Sequence, residues 1–133
     1  DLLTKIKQGY NIIYHKEIEL SKTGQKNYIH NLYYEEAWLG SKKHGHPGVL
    51  EKARLCFSRG DKITVILIRE QSLENLITLK DNLRKICAVG KHSVHINDTQ
   101  EETWRIASSV FNHNSVSFLN NRILYLVPLP GPY

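Results

Sequence analysis

The clearest helical pattern lies in the middle of the chain, where apolar residues recur every three or four positions: Leu73, Leu76, Leu79, Leu83 and Ile86. This spacing places all five on one face of a helix. Ser72 is a suitable N-cap and Gly90 a suitable C-terminal stop. Similar spacing predicts further helices over residues 1–8, 49–57 and 100–111.

Other apolar stretches have the composition of strands. Residues 10–20 and 26–34 are rich in Tyr and Ile, and the Gly-containing segment between them predicts a β-hairpin. Residues 63–68 form an almost unbroken aliphatic run, which is typical of a strand covered on both faces, so we place it at the centre of a sheet. Two further strands are predicted over residues 93–96 and 123–127.

These elements indicate one domain over residues 1–133, in which residues 117–121 are a short connection and residues 128–133 an extended Pro-rich tail. A hairpin followed by alternating helices and strands predicts an α/β fold, or alternatively an α+β fold, with a mixed sheet of about five strands. The chain begins at Asp1 and contains no methionine, which favours a piece excised from a longer protein.

The charge of the chain favours an anionic partner. Its formal net charge is +5, which suits nucleotides or nucleic acid, although a basic solvated surface would give the same value. No apolar run reaches the roughly 18–20 residues that span a bilayer, so we expect a soluble domain with no membrane partner. Two cysteines without a C-x-x-C spacing favour a reducing compartment, so we expect an intracellular, cytoplasmic or nuclear location. Cys56 and Cys87 fit buried thiols, and a disulfide between them remains an alternative. The pattern identifies no cofactor and no oligomeric state.

The densest polar cluster follows the predicted strand over residues 93–96. Thr99 begins a Thr-Gln-Glu-Glu capping box that would start the next helix. Ligands tend to bind where the carboxyl end of a strand meets a helix. The candidate acid/base groups there are His92, His95 and Asp98, and the candidate ligand-binding residues are Lys91, Asn97 and Thr99. The competing interpretation is that His92 packs at the strand start and Asp98 helps to cap the helix.

A second candidate is the glycine-rich loop over residues 42–48. Glycines let backbone N–H groups approach a phosphate, and the N-terminus of the following helix favours negative charge. We predict His46 as a catalytic residue and five neighbours as ligand-binding residues: Lys42, Lys43, His44, Gly45 and Gly48. A loop that only connects two elements would have a similar composition. The histidines lack a matched Cys/His pattern, so no metal site is predicted.

Residues 45–53 resemble the stretch of cytidylyltransferase-type nucleotidyltransferases in which a Gly-His pair precedes a helix with Leu and Ala at these offsets. The resemblance covers nine residues and implies nucleotide chemistry at the loop. The signature histidine that precedes this pair in the family would fall at Lys43, and the later Ser/Thr-rich motif is missing. No catalytic residue is therefore carried over from the family.

Both candidate stretches support one functional hypothesis, the binding of a phosphate-bearing ligand, either a nucleotide or nucleic acid. Histidine-assisted phosphoryl or nucleotidyl transfer is the activity that this site would add. His15 and His30, assigned to the hairpin, are expected to lie outside it. The alternative is a non-catalytic protein-interaction module that uses a Tyr-rich hairpin face formed by Tyr28, Tyr33 and Tyr34.

Overall fold

The computed structural model describes residues 2–87, 92, 94–97 and 99–121. Its α-helices are α1 Leu2–Gly9, α2 Lys22–Leu32, α3 Pro47–Cys56, α4 Leu73–Ile86, α5 Gln100–Val110 and α6 His113–Asn121. Its strands are β1 Asn11–Glu19 and β2 Lys62–Arg69, and short 3₁₀ turns occupy Ala37–Leu39 and Lys42–His44. None of the helices in the described ranges is long and apolar enough to cross a membrane.

The predicted mixed sheet of about five strands is wrong. The described residues form a helix-rich α+β structure whose sheet contains two strands, with β1 antiparallel to β2 from Asn11↔Arg69 to Glu19↔Lys62. The aliphatic run over residues 63–68 does form a strand, but its predicted place at the centre of a larger sheet is not found. Helices pack on both of its faces, and β1 pairs along one of its edges.

Two apolar cores cover the two faces of this narrow sheet. Successive residues of a strand point to opposite faces, so Val65 packs against one core and Ile66 against the other. The first core joins the sheet to α2, α3 and α5, and its fully buried side chains include Leu20, Ile29 and Val110. The second core joins it to α1 and α4. The two-stranded sheet is therefore the middle layer between two layers of helices.

The second arm of the predicted hairpin is helix α2. Its N-cap is Ser21, whose side chain accepts a hydrogen bond from the backbone N–H of Gly24 at 3.0 Å. The buried positions Gln25, Ile29 and Leu32 follow at spacings of four and three residues, which is helical rather than alternating. The hairpin prediction is wrong because a capped helix begins where the turn was expected.

Two further assignments also change. Residues 117–121 lie in α6 instead of a short connection, since Asn112 Oδ1 accepts from the backbone N–H of Asn114 at 2.9 Å and starts that helix. Val94 and Ile96 form no strand, although both pack against the second core. The predicted strand over residues 123–127 and the tail over 128–133 lie outside the described residues.

The N-terminus of α3 is held close to the turn that precedes it. A Cβ atom on Gly48 would overlap the backbone carbonyl of Trp38 and approach Leu39 Cα to 2.9 Å. Glycine at this position therefore permits the close packing of the Ala37–Leu39 turn on α3. By contrast, a Cβ atom on Gly9 at the end of α1 would meet no atom within 4 Å.

We predict that Gly48→Ala destabilises the protein by about 1–3 kcal/mol, because the new methyl group forces backbone atoms apart. Gly9→Ala is the matched control and should leave the free energy of unfolding unchanged or raise it by up to about 1 kcal/mol, as expected from helix propensity. Urea unfolding of the two variants beside the wild type measures both effects. Equal stability of the two variants would contradict the proposed packing.

Candidate functional site

The glycine-rich loop forms a compact basic turn. The backbone N–H of Gly45 donates to Lys42 O at 3.1 Å, and that of His46 donates to Ser41 O at 3.0 Å. Gly45 has a φ of 72°, in the left-handed region that glycine tolerates, and ends the Lys42–His44 turn. The side chains of Lys42, Lys43 and His44 are exposed. The loop therefore presents three basic groups to solvent.

His46 is fixed at the junction between this loop and α3. It has a φ of 48°, unusual for a residue with a side chain, and precedes Pro47 at the start of the helix. Its Nδ1 lies 2.9 Å from Gly40 O, and because a carbonyl can only accept, Nδ1 carries the proton. The His46 ring lies 4.7 Å from the ring of His30 on α2. His30 therefore belongs beside the candidate site, and the expectation that it lies apart is wrong.

A second group of side chains surrounds Tyr33 at the end of α2, and we call Tyr33, Trp38, Lys52, His92 and His95 the Tyr33 cluster. The ring centroid of Tyr33 lies 5.0 Å from that of Trp38 and 5.3 Å from that of His95, both edge-on. Lys52 Nζ lies 5.5 Å from the Tyr33 ring centroid, within reach of a cation–π interaction. Three separate segments of the chain thus meet at one ring.

Lys52, on the helix α3 that follows the loop, links that helix to the second predicted stretch. Its Nζ lies 2.9 Å from His92 Nδ1. An ammonium group can only donate, so His92 Nδ1 accepts the hydrogen bond and the proton of the neutral imidazole is on Nε2. His46 reaches α2 at His30 and His95 reaches it at Tyr33, one helical turn further along. The two histidine-containing stretches therefore converge on the C-terminal half of α2.

Arg84 of α4 adds a second fixed cation. Its Nη2 donates to Val94 O at 3.1 Å. Its Nε is buried and has no hydrogen-bond partner within the part of the chain that the structure describes. Neither Arg84 nor Lys52 was predicted as a site residue, and Tyr33 was predicted only as part of a Tyr-rich hairpin face. For Lys52 a signal exists, since it lies three residues after Val49 and four before Cys56, next to the inward face of α3.

Burial keeps the phenol and thiol groups near the cluster neutral. It raises the pKa of Tyr33 to about 12, with Cys56 adding to the rise and Arg84 opposing it. Burial also raises the pKa of Tyr28 and that of Cys56, and Lys52 opposes the latter shift. Cys56 and Cys87 are free thiols. Since a raised pKa makes a thiol a poor nucleophile, Cys56 fits a packing role.

The other predicted residues fall into two groups. Thr99 Oγ1 accepts from the backbone N–H of Glu102 at 3.2 Å, and Asn97 bonds Thr103 Oγ1, so both organise the start of α5. Gly48 is required by packing against Trp38, which is a structural reason for glycine there. Lys91 and Asp98 lie outside the described residues. In the described ranges no three His, Cys, Asp or Glu side chains are placed to hold a metal ion.

Comparison with family models, with curated proteins and with solved structures finds no match for this chain. The nucleotidyltransferase-like stretch over residues 45–53 is accordingly a local likeness of sequence. The chemistry of the Tyr33 cluster and of the adjoining loop is the basis on which a function can be inferred.

The His30–His46 contact predicts a dependence of stability on pH. Burial lowers the pKa of His30 below its usual value, and His46 lowers it further. As the pH falls below about 6.5, His30 binds a proton more readily in the unfolded chain than in the folded one. The stability that neutral His30 contributes is therefore present above that pH and is lost as the pH falls through the lower pKa of the folded state.

We predict that His30→Gln makes stability less sensitive to acid. The difference in urea midpoint between about pH 7.5 and about pH 5 should be smaller in this variant than in the wild type. His15→Gln, at an exposed position on β1, is the matched control and should keep the wild-type difference. An unchanged difference in His30→Gln would show that protonation of His30 is not coupled to folding.

Proposed function

We propose that the domain binds a phosphate-bearing ligand, a nucleotide or nucleic acid, on the surface formed by the Tyr33 cluster and the Lys42–His44 turn. The observation that carries the proposal is the convergence of Lys52 and His95 on the ring of Tyr33, with His92 hydrogen-bonded to Lys52. Ammonium, guanidinium and imidazole N–H groups are the donors that recognise phosphate oxygens.

Within the described residues, no ion pair neutralises the lysines and the arginine beside this surface. In the described part of the chain, ion pairs join Lys22 to Asp61, Arg54 to Glu51 and Lys62 to Glu17. No described carboxylate pairs with Lys42, Lys43, Lys52 or Arg84. An anionic ligand would supply the missing negative charge.

Trp38 supports a ligand that also contains a planar ring. Its side chain is 45% exposed, and its edge-on contact with Tyr33 fixes its orientation. The buried Leu39 holds the turn on which Trp38 lies. An exposed indole beside lysines is suited to stack a nucleobase while the cations contact phosphate.

The alternative interaction module loses the surface on which it was based. Tyr28 and Tyr33 pack against the first core from helix α2, and only Tyr34, 53% exposed, is directed mainly to solvent. The three tyrosines therefore do not form a hairpin face. This distribution favours the ligand-binding proposal.

We expect isothermal titration with ATP and with a 12-nucleotide single strand to detect binding that Lys52→Ala weakens about tenfold or more, because a charge-assisted hydrogen bond is removed. Trp38→Ala should weaken it by a similar factor through lost stacking. Lys22→Ala is the matched control. This exposed lysine lies at the N-terminal end of α2, about 16 Å along the helix from Tyr33.

The salt dependence of the same titrations distinguishes the two ligand classes. A strand that contacts several phosphates should lose affinity steeply between about 50 and 200 mM salt, whereas ATP should lose much less. The proposal is overturned if neither ligand binds, or if Lys52→Ala and Trp38→Ala bind as tightly as Lys22→Ala.

Histidine-assisted transfer, the second part of the proposal, would use His46. Its Nδ1 is held by Gly40, which leaves Nε2 as the nitrogen that can exchange a proton with a ligand. In an assay of nucleotide turnover, His46→Ala should lower kcat about 10²–10⁴-fold. His15→Ala is the control, and equal loss in both variants would exclude this role for His46.

A further inference from the structure

Three exposed aromatic side chains gather around the C-terminal end of α2. Tyr34 follows that end and is 53% exposed, and Trp38, in the turn that comes next, is 45% exposed. Arg105 Nη2 of α5 donates to Leu32 O at 3.3 Å, which places the first half of α5 beside the last turn of α2. Trp104 directly precedes Arg105 in the chain and is 69% exposed.

Both tryptophans of the chain belong to this group. Tryptophan is highly buried on average, because its indole carries a large apolar area. Exposed hydrophobic side chains are normal when they are scattered singly, whereas a group of them commonly marks a binding surface. The rings at the end of α2 therefore indicate a surface that binds a partner with flat apolar faces.

Basic side chains lie beside these rings. Lys42 and Lys43 are exposed in the turn that follows Trp38. Lys52 Nζ lies 5.5 Å from the ring centroid of Tyr33, and the Tyr33 ring contacts Trp38. The arginine of α5 that bonds the last residue of α2 adds a cation on the side of Trp104. A positive surface interleaved with aromatic rings is the usual arrangement for binding single-stranded nucleic acid.

Two carboxylates restrict how such a ligand can lie. Glu35 and Glu36 are exposed in the segment between Tyr34 and Trp38. They repel phosphate groups, but they can accept hydrogen bonds from the amino groups of bases. The segment between the two rings is therefore suited to bases, and the turn that carries the lysines is suited to the phosphate backbone.

We propose that the ligand of this surface is a single-stranded nucleic acid of at least three nucleotides, whose bases stack on Trp38, Tyr34 and Trp104. This choice rests on the proposed function and selects one of its two ligand classes. A mononucleotide has one base and can use one of the rings. A duplex keeps the faces of its bases inside its own stack, whereas a single strand offers successive unpaired bases together with their phosphates.

The dependence of affinity on strand length tests the proposal. Fluorescence anisotropy with labelled DNA strands of 2, 6 and 12 nucleotides, and with an RNA strand of 12 nucleotides, measures each Kd. We expect affinity to rise about tenfold or more between the dinucleotide and the longer strands, because further bases reach a second and a third ring. A 12-base-pair duplex should bind more weakly than either 12-nucleotide strand.

Substitutions of the two rings that the phosphate-binding residues do not contact give a second test. Trp104→Ala and Tyr34→Ala should each weaken binding of the 12-nucleotide strands about fivefold or more, since one stacked base is lost. Trp104→Phe keeps an aromatic ring and should retain most of the affinity. Leu73→Ala is the matched control, because this side chain is 51% exposed at the start of α4, and it should bind as the wild type does.

The binding of ATP separates this proposal from the proposed function. If ATP binds with the expected dependence on Lys52 and Trp38 but the strands bind no more tightly than ATP, the single-strand proposal is overturned and the proposed function stands. The same holds if the duplex binds as tightly as the strands, or if Trp104→Ala and Tyr34→Ala both bind the strands as Leu73→Ala does. If neither ATP nor any strand binds, both proposals are overturned.

Discussion

The placement of α2, on which the candidate site depends, is fixed at one end by hydrogen bonds between Ser21 and Asn120. Ser21 Oγ caps α2 and donates to Asn120 O at 2.9 Å, while the backbone N–H of Ser21 donates to Asn120 Oδ1 at 2.9 Å. Asn120 Nδ2 donates to Glu19 O at 3.0 Å. The end of β1, the start of α2 and the end of α6 are therefore joined at one point. Because α2 begins there, its C-terminal half is directed at the loop and at the cation-bearing helices.

Apolar spacing predicted α3, α4, α5 and β2, because in those elements the buried positions are largely occupied by apolar side chains. It failed at α2, where two buried positions are polar. Gln25 is 3% exposed and donates to Leu20 O and Asp61 Oδ1, and the buried Asn27 donates to Leu119 O. Leu20 lies just before the helix, whereas Asp61 and Leu119 are distant in the chain. A hydrophobic period cannot reveal a helix whose inward face is satisfied by hydrogen bonds.

The candidate site shows a similar division. Local composition predicted the loop and the histidines as site residues, because glycines, lysines and imidazoles are residue types that bind phosphate. It could not show that His30 and His46 meet, because the packing of α2 and α3 brings them together. Nor could it show that Lys52 of α3 lies within hydrogen-bonding distance of His92, which belongs to the segment between α4 and α5. Asn97 and Thr99 illustrate the opposite case, in which polar residues near a helix start serve mainly as its cap.

The order of the elements also bears on how the chain folds. Strands β1 and β2 pair with each other across the whole segment that contains α2 and α3. Forming the sheet therefore closes a long loop, whose entropic cost rises with its length, whereas the helices form from contacts between near neighbours. Once α2 and α3 have packed together, they shorten the effective distance between the strands. In this topology the segment that carries His30, His46 and Lys52 is also the bridge over which the sheet is assembled.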